Sequence, residues 1–461
     1  MQKKYDAIVI GSGQAGTPLS KELAASGLKT ALIEKRWVGG TCVNDGCSPT
    51  KTMIASAKLA WSVANSEKLG LHIGGYTVDF HEIIARKNEV VLSMRNGSEK
   101  GIKKTENLDL IYGTAVFTGP KEITVTLNDG GEEVFSADKF FINVGEKPSI
   151  PNIQGIDSID YLTSTSIMEL EEIPEHLAII GSGYIALEFG QMFRRFGSKV
   201  TILEQSERIL RHEDEDIAAE IVKILSQEEI QILTDCKVEL IKKEGDSINL
   251  FLNKAGKEQT ITCTHVLVGA GRKPQTAKLG LDMAGVEVTE KGYVKVNDKL
   301  ETSAEGIYAL GDVKGGPAFT HIAYDDFRIL RTNVIEKGDV SIKDRLVPYC
   351  MFIDPQLGRV GITEQEAKES GRDILVAKIP NSNVARAIET GDTRGMMKAV
   401  IDKESGKILG ASVLAEQGGE IVTILQLAMM GGITYQQLKE GVFAHPTYAE
   451  SLNNLFMTLD K

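Results

Sequence analysis

At 461 residues the chain is too long for one hydrophobic core and is expected to divide into two to four domains. Its 42% apolar fraction supports buried cores, and its 46 glycines fit many tight turns and close backbone approaches to ligands. A formal net charge of -12 argues against nonspecific nucleic-acid binding and leaves room only for a local basic pocket that takes a phosphate.

The opening MQKKYDAIVI runs straight into a strand and leaves no room for a secretory leader, so a soluble cytoplasmic protein is the expectation. That strand leads into GSGQAG, where Gly11, Gly13 and Gly16 have the spacing of a dinucleotide-binding turn. Gly11 permits the tight turn, Gly13 lets a pyrophosphate approach the backbone, and Gly16 lets the following helix pack on the strand. The next strand, KTALIE, ends at Glu34, suitably placed for ribose hydroxyls.

Then comes VGGTCVNDGCSPTK, with Cys42 and Cys47. Two such thiols beside a flavin could pass an electron pair to a substrate, and in a reducing cytoplasm a catalytic disulfide fits better than a structural one. Five residues of regular helix advance about 7.5 Å, beyond the ~7 Å Cα separation that a disulfide tolerates. The spacing therefore predicts an irregular turn through Asn44, Asp45 and Gly46, followed by a helix whose opening turns hold Pro49. Helical patterns over 47–104 are expected to cover one face of this first domain. Cys236, Cys263 and Cys350 lie far apart and read as small core residues or incidental thiols.

The first pattern recurs in HLAIIGSGYIALE, with Gly181 and Gly183, and in SKVTILE, which ends at Glu204. In both copies the acid follows the first glycine by 23 residues. Ala186 replaces the third glycine at the cost of one methyl. Glu204 favours NADH over NADPH, because an acid that accepts the ribose 2′-hydroxyl repels a 2′-phosphate. Arg208 and Arg211 just downstream keep NADPH open, their alternative being a solvated surface. The strands ADKFFINVGEKP and THVLVGAGRKP end in turns at Gly145 and Gly271, where a chain leaves a dinucleotide unit. GIYALGDVKGG reads as a short strand ending at Asp312.

Chain order then predicts residues 1–145 as the first part of one nucleotide-binding domain, 146–270 as an inserted second one, 271–335 as the return to the first, and 341–461 as a separate α+β module. In that module EIVTILQLAMMGGI begins with an acid, falls far short of a bilayer span and reads as a buried helix, so no membrane association is expected. No HExxH or clustered His/Cys spacing occurs, and no permanent metal site is expected.

In this order GSGQAG, GGTCVNDGCSPTK, GSGYIALEFG, the pair Gly311–Asp312 and AHPTYAE resemble the class I pyridine nucleotide-disulfide oxidoreductases over nearly the whole chain. That family includes dihydrolipoamide dehydrogenase, glutathione reductase, mercuric reductase and the reactive-chlorine-resistance flavoenzymes. The resemblance implies an α/β fold with two Rossmann-like domains, for noncovalent FAD and for NAD(P), plus a C-terminal α+β dimerisation domain. It adds Gly40, Thr41, Lys51, Gly145, Gly271, Gly311 and Asp312 to the glycine turns as cofactor-binding residues. Cys42 takes the interchange role and Cys47 that of the charge-transfer thiol against the flavin. Lys51 and Glu188 resemble the family ion pair near the flavin, and Tyr184 resembles a ring that gates the nicotinamide pocket. His445 and Glu450 match the element that reaches the disulfide of the opposite subunit in a homodimer, and His445–Pro446 is by the same resemblance a cis peptide. The chemistry is coherent: His445 could accept a proton from Cys42 and return it to a leaving thiol, with Glu450 supporting the imidazole.

The acceptor is narrowed by absences. The chain ends NNLFMTLDK without the vicinal cysteine pair of the usual mercuric reductases, and no CxxC module precedes the first unit, which speaks against Hg(II) reduction. The redox tail of long thioredoxin reductases is absent too. Dihydrolipoamide dehydrogenase, which needs no tail, is the alternative. However, PAFTHIAYDDFRI, with His321, Tyr324 and Asp325, departs from its usual pattern toward the mercuric-reductase-like and reactive-chlorine-resistance branch. Those three residues fit substrate contact and hydrogen bonding in the core or dimer interface equally. The reading is an FAD- and NAD(P)H-dependent oxidoreductase that passes electrons through Cys42 and Cys47 to a disulfide, metal-ion or oxidant acceptor. A redox-sensing flavoprotein acting through a binding partner is the alternative of another class, marked by weak steady flux.

Overall fold

A computed structural model describes residues 3–460, which form two compact units. The first comprises the chain up to Thr52, Ile84–Ser149 and Gly271–Arg345. The second comprises Met53–Ile83, Ile150–Ala270 and Leu346 onward.

In the first unit five strands run parallel in the order Leu108–Gly119, Thr30–Glu34, Lys3–Ile10, Glu132–Ile142 and Ile307–Ala309. The inner strands are buried on both faces, which is why AIVI and TALIE read as continuous rather than alternating apolar runs. On one face Leu19 and Leu23 of the helix Gly16–Ala25 pack with Phe327 and Leu330 of the helix Thr320–Leu330. On the other, Phe117, Phe135 and Phe140 pack beneath Val286 and Val294. An antiparallel strand, Glu122–Leu127, joins the outer halves of the two long strands. The ends of Lys3–Ile10 and Ile307–Ala309 flank Ile142, so the turns that follow them gather at the carboxyl edge of the sheet, where open α/β sheets bind ligands.

One detail differs from expectation. The late strand stops at Ala309, and Asp312 lies in the 3-10 turn Gly311–Lys314. The backbone leaves the sheet because Gly311 adopts a φ of 73° and gives its N–H to the Asp326 carboxylate. Where the chain departs toward residue 150 and returns from 270, Glu146–Pro148 and Arg272–Pro274 pair antiparallel, so exit and re-entry lie side by side.

The second unit repeats the parallel motif with four strands ordered His265–Val268, His176–Ile180, Lys199–Leu203 and Gln231–Leu233. The helix Tyr184–Phe196 buries Ala186, Leu187, Phe189 and Phe193. A three-stranded antiparallel sheet, Cys236–Glu244, Ser247–Lys254 and Lys257–Cys263, encloses Cys236 and Cys263 in an apolar cluster, as small core residues. The C-terminal part is a five-stranded antiparallel sheet ordered Tyr349–Met351, Gln356–Gly361, Ile408–Ala415, Met396–Asp402 and Ile374–Pro380. Helices Gly418–Gly431 and Ser451–Met457 pack into its core.

The helix Gly418–Gly431 is buried on one face only. Ile421, Val422, Leu425 and Ala428 point into the core, whereas Leu427 and Met430 are 59% and 67% exposed, so the apolar run is not the fully buried helix its composition suggests. The helical stretch read as a cover for the first domain also divides, because Met53–Ile83 packs within the second unit. There the Trp61 ring lies between the guanidinium groups of Arg195 and Arg394, at 4.8 and 5.1 Å. Both arginines pair with Glu228 and Asp354, which keeps their charges compensated in a half-buried setting. Among the described residues no helix is long and apolar enough to cross a membrane.

Candidate active site

Cys42 lies in a short helix, Gly40–Asn44, and Cys47 opens a longer one, Cys47–Ala64. The helical path breaks at Asp45, whose φ is -138°, and at Gly46. A side chain at Gly46 would place its Cβ 2.8 Å from the Thr41 carbonyl oxygen, so only glycine lets the two short arms fold this closely. The irregular turn expected from the spacing is thus present but narrower than expected, since Cys42 and Asn44 are themselves helical.

Side chains fix this turn from outside. The Asn44 amide donates to the Val38 and Gly40 carbonyls at 3.0 and 2.9 Å and accepts from Arg95 Nε at 2.7 Å. Arg36 pairs with Asp45. The two guanidinium groups also lie over the Trp37 ring, at 4.4 and 4.1 Å from its centroid. Sequence named Asn44 and Asp45 as part of the turn but did not single out Arg36, Trp37 or Arg95. Arg36 and Trp37 stand just ahead of the motif, whereas Arg95 lies 51 residues from Asn44 and carries no local signal.

Both sulfurs are free thiols. The Cys42 thiol hydrogen-bonds Cys47 and so holds Cys47 low, at about 5, against the opposing effect of burial; a hydrogen bond from Thr320 and the charge of Lys51 act in the same direction. Cys42 is pushed up by the same sulfur-sulfur hydrogen bond, then by burial and by the neighbouring charge. The pair is therefore electrostatically unequal, with the first negative charge residing on Cys47. Above pH about 5 Cys47 is a thiolate, and below it the reactive form is lost by protonation. In a reduced Cys42→Ser variant, alkylation of Cys47 by iodoacetamide should accordingly persist to about pH 5 before fading, whereas an ordinary thiol near 8.5 would already be slow at neutral pH.

Around the dithiol the first unit offers a donor and acceptor set that fits a flavin dinucleotide. Gly11 turns the chain after its strand with a φ of 101°, and the matching Gly181 in the second unit has 102°. The backbones of Gly13 and Gly40 approach so closely that a Cβ on Gly40 would sit 2.8 Å from the Gly13 Cα, which leaves bare main chain facing a pyrophosphate. Glu34 is buried, accepting from Ser12 N and Oγ at 3.0 and 2.7 Å and from Arg36 N at 2.8 Å. A carboxylate so held retains acceptor capacity for ribose hydroxyls. Asn143 links the parts: its Oδ1 accepts from Gly16 N at 2.9 Å and its Nδ2 donates to the Leu310 carbonyl at 2.9 Å. Gly145 follows it with a φ of 63°.

Asp312 is pushed up to about 6 by burial and then by Glu146, with Arg272 and Lys314 opposing. Glu146 itself accepts from Tyr293 Oη at 2.6 Å and pairs with Arg272 at 3.3 Å. Of the acidic residues in the Thr320 helix, sequence drew attention to Asp325, which pairs with Arg345 at 3.2 Å. The fully buried one is Asp326, which takes Gly311 N at 2.8 Å, Arg345 at 2.7 Å and Lys314 at 3.3 Å. Tyr324 packs edge-on against Phe327 beneath Arg328, and the exposed His321 ring stacks on Phe319 at 5.4 Å. The residue of this helix that meets the dithiol is Thr320, whose Oγ1 lies 3.5 Å from Cys47 Sγ.

In the second unit the acidic pattern repeats. Glu204 accepts from Ser182 Oγ at 2.6 Å and Ser206 N at 2.8 Å, as Glu34 does from Ser12 and Arg36. Tyr184 opens the adjoining helix, after Gly183. Arg208 spends its guanidinium on its own loop, donating to the Glu213 and Arg211 carbonyls at 2.9 and 3.0 Å, while Arg211 is exposed. Glu188 is buried and accepts from Phe352 N at 2.8 Å. His445 Nδ1 lies 2.9 and 2.8 Å from the two Glu450 oxygens, and the His445–Pro446 peptide is cis, as the resemblance implied. The carboxylate fixes the proton on Nδ1 and leaves Nε2 as the basic nitrogen of a largely exposed ring. Among the described residues no group of three or more His, Cys, Asp or Glu side chains is arranged to hold a metal ion.

Known proteins with this arrangement are numerous. Residues 5–326 match the family model for pyridine nucleotide-disulphide oxidoreductases, and residues 347–456 match that family's dimerisation domain. The probable pyridine nucleotide-disulfide oxidoreductase RclA of Escherichia coli is 39% identical over 98% of this chain and 99% of its own. A mercuric reductase of Bacillus cereus is 37% identical, covering 99% of this chain and 72% of its own, and a dihydrolipoyl dehydrogenase of Thermus scotoductus is 35% identical, covering 100% and 98%. The solved Cu(II) complex of the HOCl-induced flavoprotein disulfide reductase RclA superposes with a TM-score of 0.91 at 38% identity over 100% of both chains. The chain therefore belongs to the pyridine nucleotide-disulphide oxidoreductases, FAD- and NAD(P)H-dependent enzymes built from Rossmann-like dinucleotide-binding domains and a C-terminal dimerisation domain.

Proposed function

We propose that this enzyme is an NADH-dependent reductase of a small, thiol-reactive acceptor, either a disulfide, a metal ion or an oxidant. The observation that carries this reading is the dithiol itself, with Cys42 and Cys47 on either side of the break at Asp45 and Gly46, Thr320 Oγ1 3.5 Å from Cys47 Sγ, and the two sulfurs electrostatically unequal. Bound FAD supplies the two-electron step between a reduced nicotinamide and the disulfide. Around it Gly11, Gly13, Gly16, Gly40, Thr41, Gly145 and Gly271 give main-chain contacts, Glu34 takes ribose hydroxyls, and Gly311 and Asp312 hold the middle of the cofactor. Gly181, Gly183, Tyr184 and Glu204 hold the nicotinamide dinucleotide, while Lys51 and Glu188 carry over from the family motif as groups beside the flavin. Cys47 serves the flavin side and Cys42 the acceptor side. His445 Nε2 takes the Cys42 proton when that sulfur attacks and returns it to the departing group, with Glu450 orienting the ring. In a homodimer each His445 would complete the site of the other chain.

The residue ranges 1–145, 146–270, 271–335 and 341–461 then correspond in function to FAD binding, NAD(P) binding, return to FAD binding, and dimerisation. NADH is favoured because an acid such as Glu204 would accept a ribose 2′-hydroxyl and repel a 2′-phosphate, and Arg208 is already engaged within its loop. Dihydrolipoyl dehydrogenase is the second reading, supported by the full-length similarity of that enzyme from Thermus scotoductus. Cu(II) belongs among the acceptors to be tried because a related RclA was solved with it.

The experiment is steady-state turnover with NADH and with NADPH across lipoamide, glutathione disulfide, Hg(II), Cu(II) and a quinone. NADH should exceed NADPH in kcat/KM by at least tenfold. Dominant lipoamide turnover would select the second reading, and equal use of the two nicotinamides would remove the role given to Glu204.

A further inference from the structure

We propose that Thr320 is a further catalytic residue, its hydroxyl donating a hydrogen bond to the Cys47 sulfur and holding it as the thiolate once the disulfide is reduced. The inference rests on the assignment of Cys47 as the charged sulfur of the pair.

Reduction of the disulfide breaks one S–S bond, consumes the electron pair that NADH supplies through bound FAD, and takes up one proton, giving a thiol at Cys42 and a thiolate at Cys47. The negative charge needs donors. Four groups favour the anion at Cys47: the Cys42 thiol, the Thr320 hydroxyl, the Lys51 ammonium and the Cys47 backbone N–H. Lys51 acts through its charge, and the Cys42 proton is the one that leaves when Cys42 becomes the nucleophile. Thr320 is the side-chain donor that neither titrates nor departs, with Oγ1 3.5 Å from Cys47 Sγ, a normal separation for a hydroxyl on sulfur. Its hydrogen bond also acts on Cys42, in the direction that favours the anion.

The position of Thr320 is built rather than incidental. It is the first residue of the helix Thr320–Leu330, and that helix is fixed from within by Asp326, fully buried and bound to Gly311 N, Arg345 and Lys314. One carboxylate therefore ties the turn carrying Asp312 to the helix carrying Thr320. Stacking of Phe319 on His321 brackets Thr320 from both sides in sequence. Valine would keep the branched shape and lose the donor, whereas serine would keep the donor and lose a methyl.

The test uses the FAD-loaded enzyme carrying Cys42→Ser, so that Cys47 is the lone sulfur of the pair. Its thiolate-to-flavin absorbance is titrated with pH, and iodoacetamide trapping of Cys47 is measured in parallel. Adding Thr320→Val should raise the midpoint by about one pH unit, a tenfold lower thiolate fraction at pH below both midpoints, and Thr320→Ser should restore it. An unmoved midpoint in Thr320→Val, or a serine variant that behaves like valine, overturns the role of the hydroxyl. If Cys42→Ser alone shows no thiolate absorbance at any pH, it is the assignment of Cys47 that fails instead.

Discussion

Serine at either Cys42 or Cys47 is expected to lower acceptor turnover by roughly a thousandfold or more while leaving reduction of the flavin by NADH intact. The size follows from the chemistry: loss of one sulfur removes the disulfide, and members of a nucleophilic unit fail together rather than additively. The separation into half-reactions is the informative part. In the proposed order the nicotinamide would reduce the flavin before the dithiol is involved, so rapid mixing with NADH should show flavin reduction in both variants at near wild-type rate. Subsequent mixing with acceptor should show reoxidation only in the wild type. A serine variant that turns over acceptor within tenfold of wild type would mean that electrons leave directly from the flavin.

His445→Ala should slow the acceptor half-reaction by about a hundredfold to ten-thousandfold, the usual worth of a positioned acid-base group, without changing the nicotinamide half-reaction. Glu450→Ala should cost less, because the imidazole would remain but lose the carboxylate that fixes its Nδ1 proton. The proposed placement of His445 in the opposite subunit's site makes a sharper demand. Co-expressed chains carrying Cys42→Ser and His445→Ala would form mixed dimers in which one site holds both defects and the other holds an intact Cys42 facing an intact His445. Purified mixed dimers should regain close to half of wild-type turnover. If each site uses its own chain's histidine, no site is intact and turnover stays at the level of the single variants.

Local features of the sequence carried much of this architecture. Gly11 and Glu34, or Gly181 and Glu204, lie within one strand-helix-strand unit, so spacing alone exposes the repeat. The turn between the cysteines was legible because helix rise and disulfide reach are incompatible, yet its extent was not. Asn44 and Arg95 confine the irregularity to Asp45 and Gly46 through contacts that span 51 residues. Long-range contacts were the blind spot. Thr320 meets Cys47 across 273 residues, and nothing in FTHIAYDDF marks its hydroxyl over the neighbouring His321. In the same helix Asp325 and Asp326 are indistinguishable as letters. Only the helical face decides that Asp326 is fully buried against Gly311, Lys314 and Arg345. The stretch Met53–Ile83 likewise read as a cover for the first domain, because helical periodicity shows that a face is buried but not against what. Trp61, held between Arg195 and Arg394, fixes it to the second unit.

The division of labour between the two sulfurs is tested most directly by anaerobic titration with NADH of the wild type, Cys47→Ser and Cys42→Ser, followed by long-wavelength absorbance. The wild type should develop thiolate-to-flavin absorbance after two electrons, Cys42→Ser should show it without any reductant, and Cys47→Ser should lack it throughout. Absorbance that survives in Cys47→Ser and disappears in Cys42→Ser would contradict the assignment and exchange the two roles.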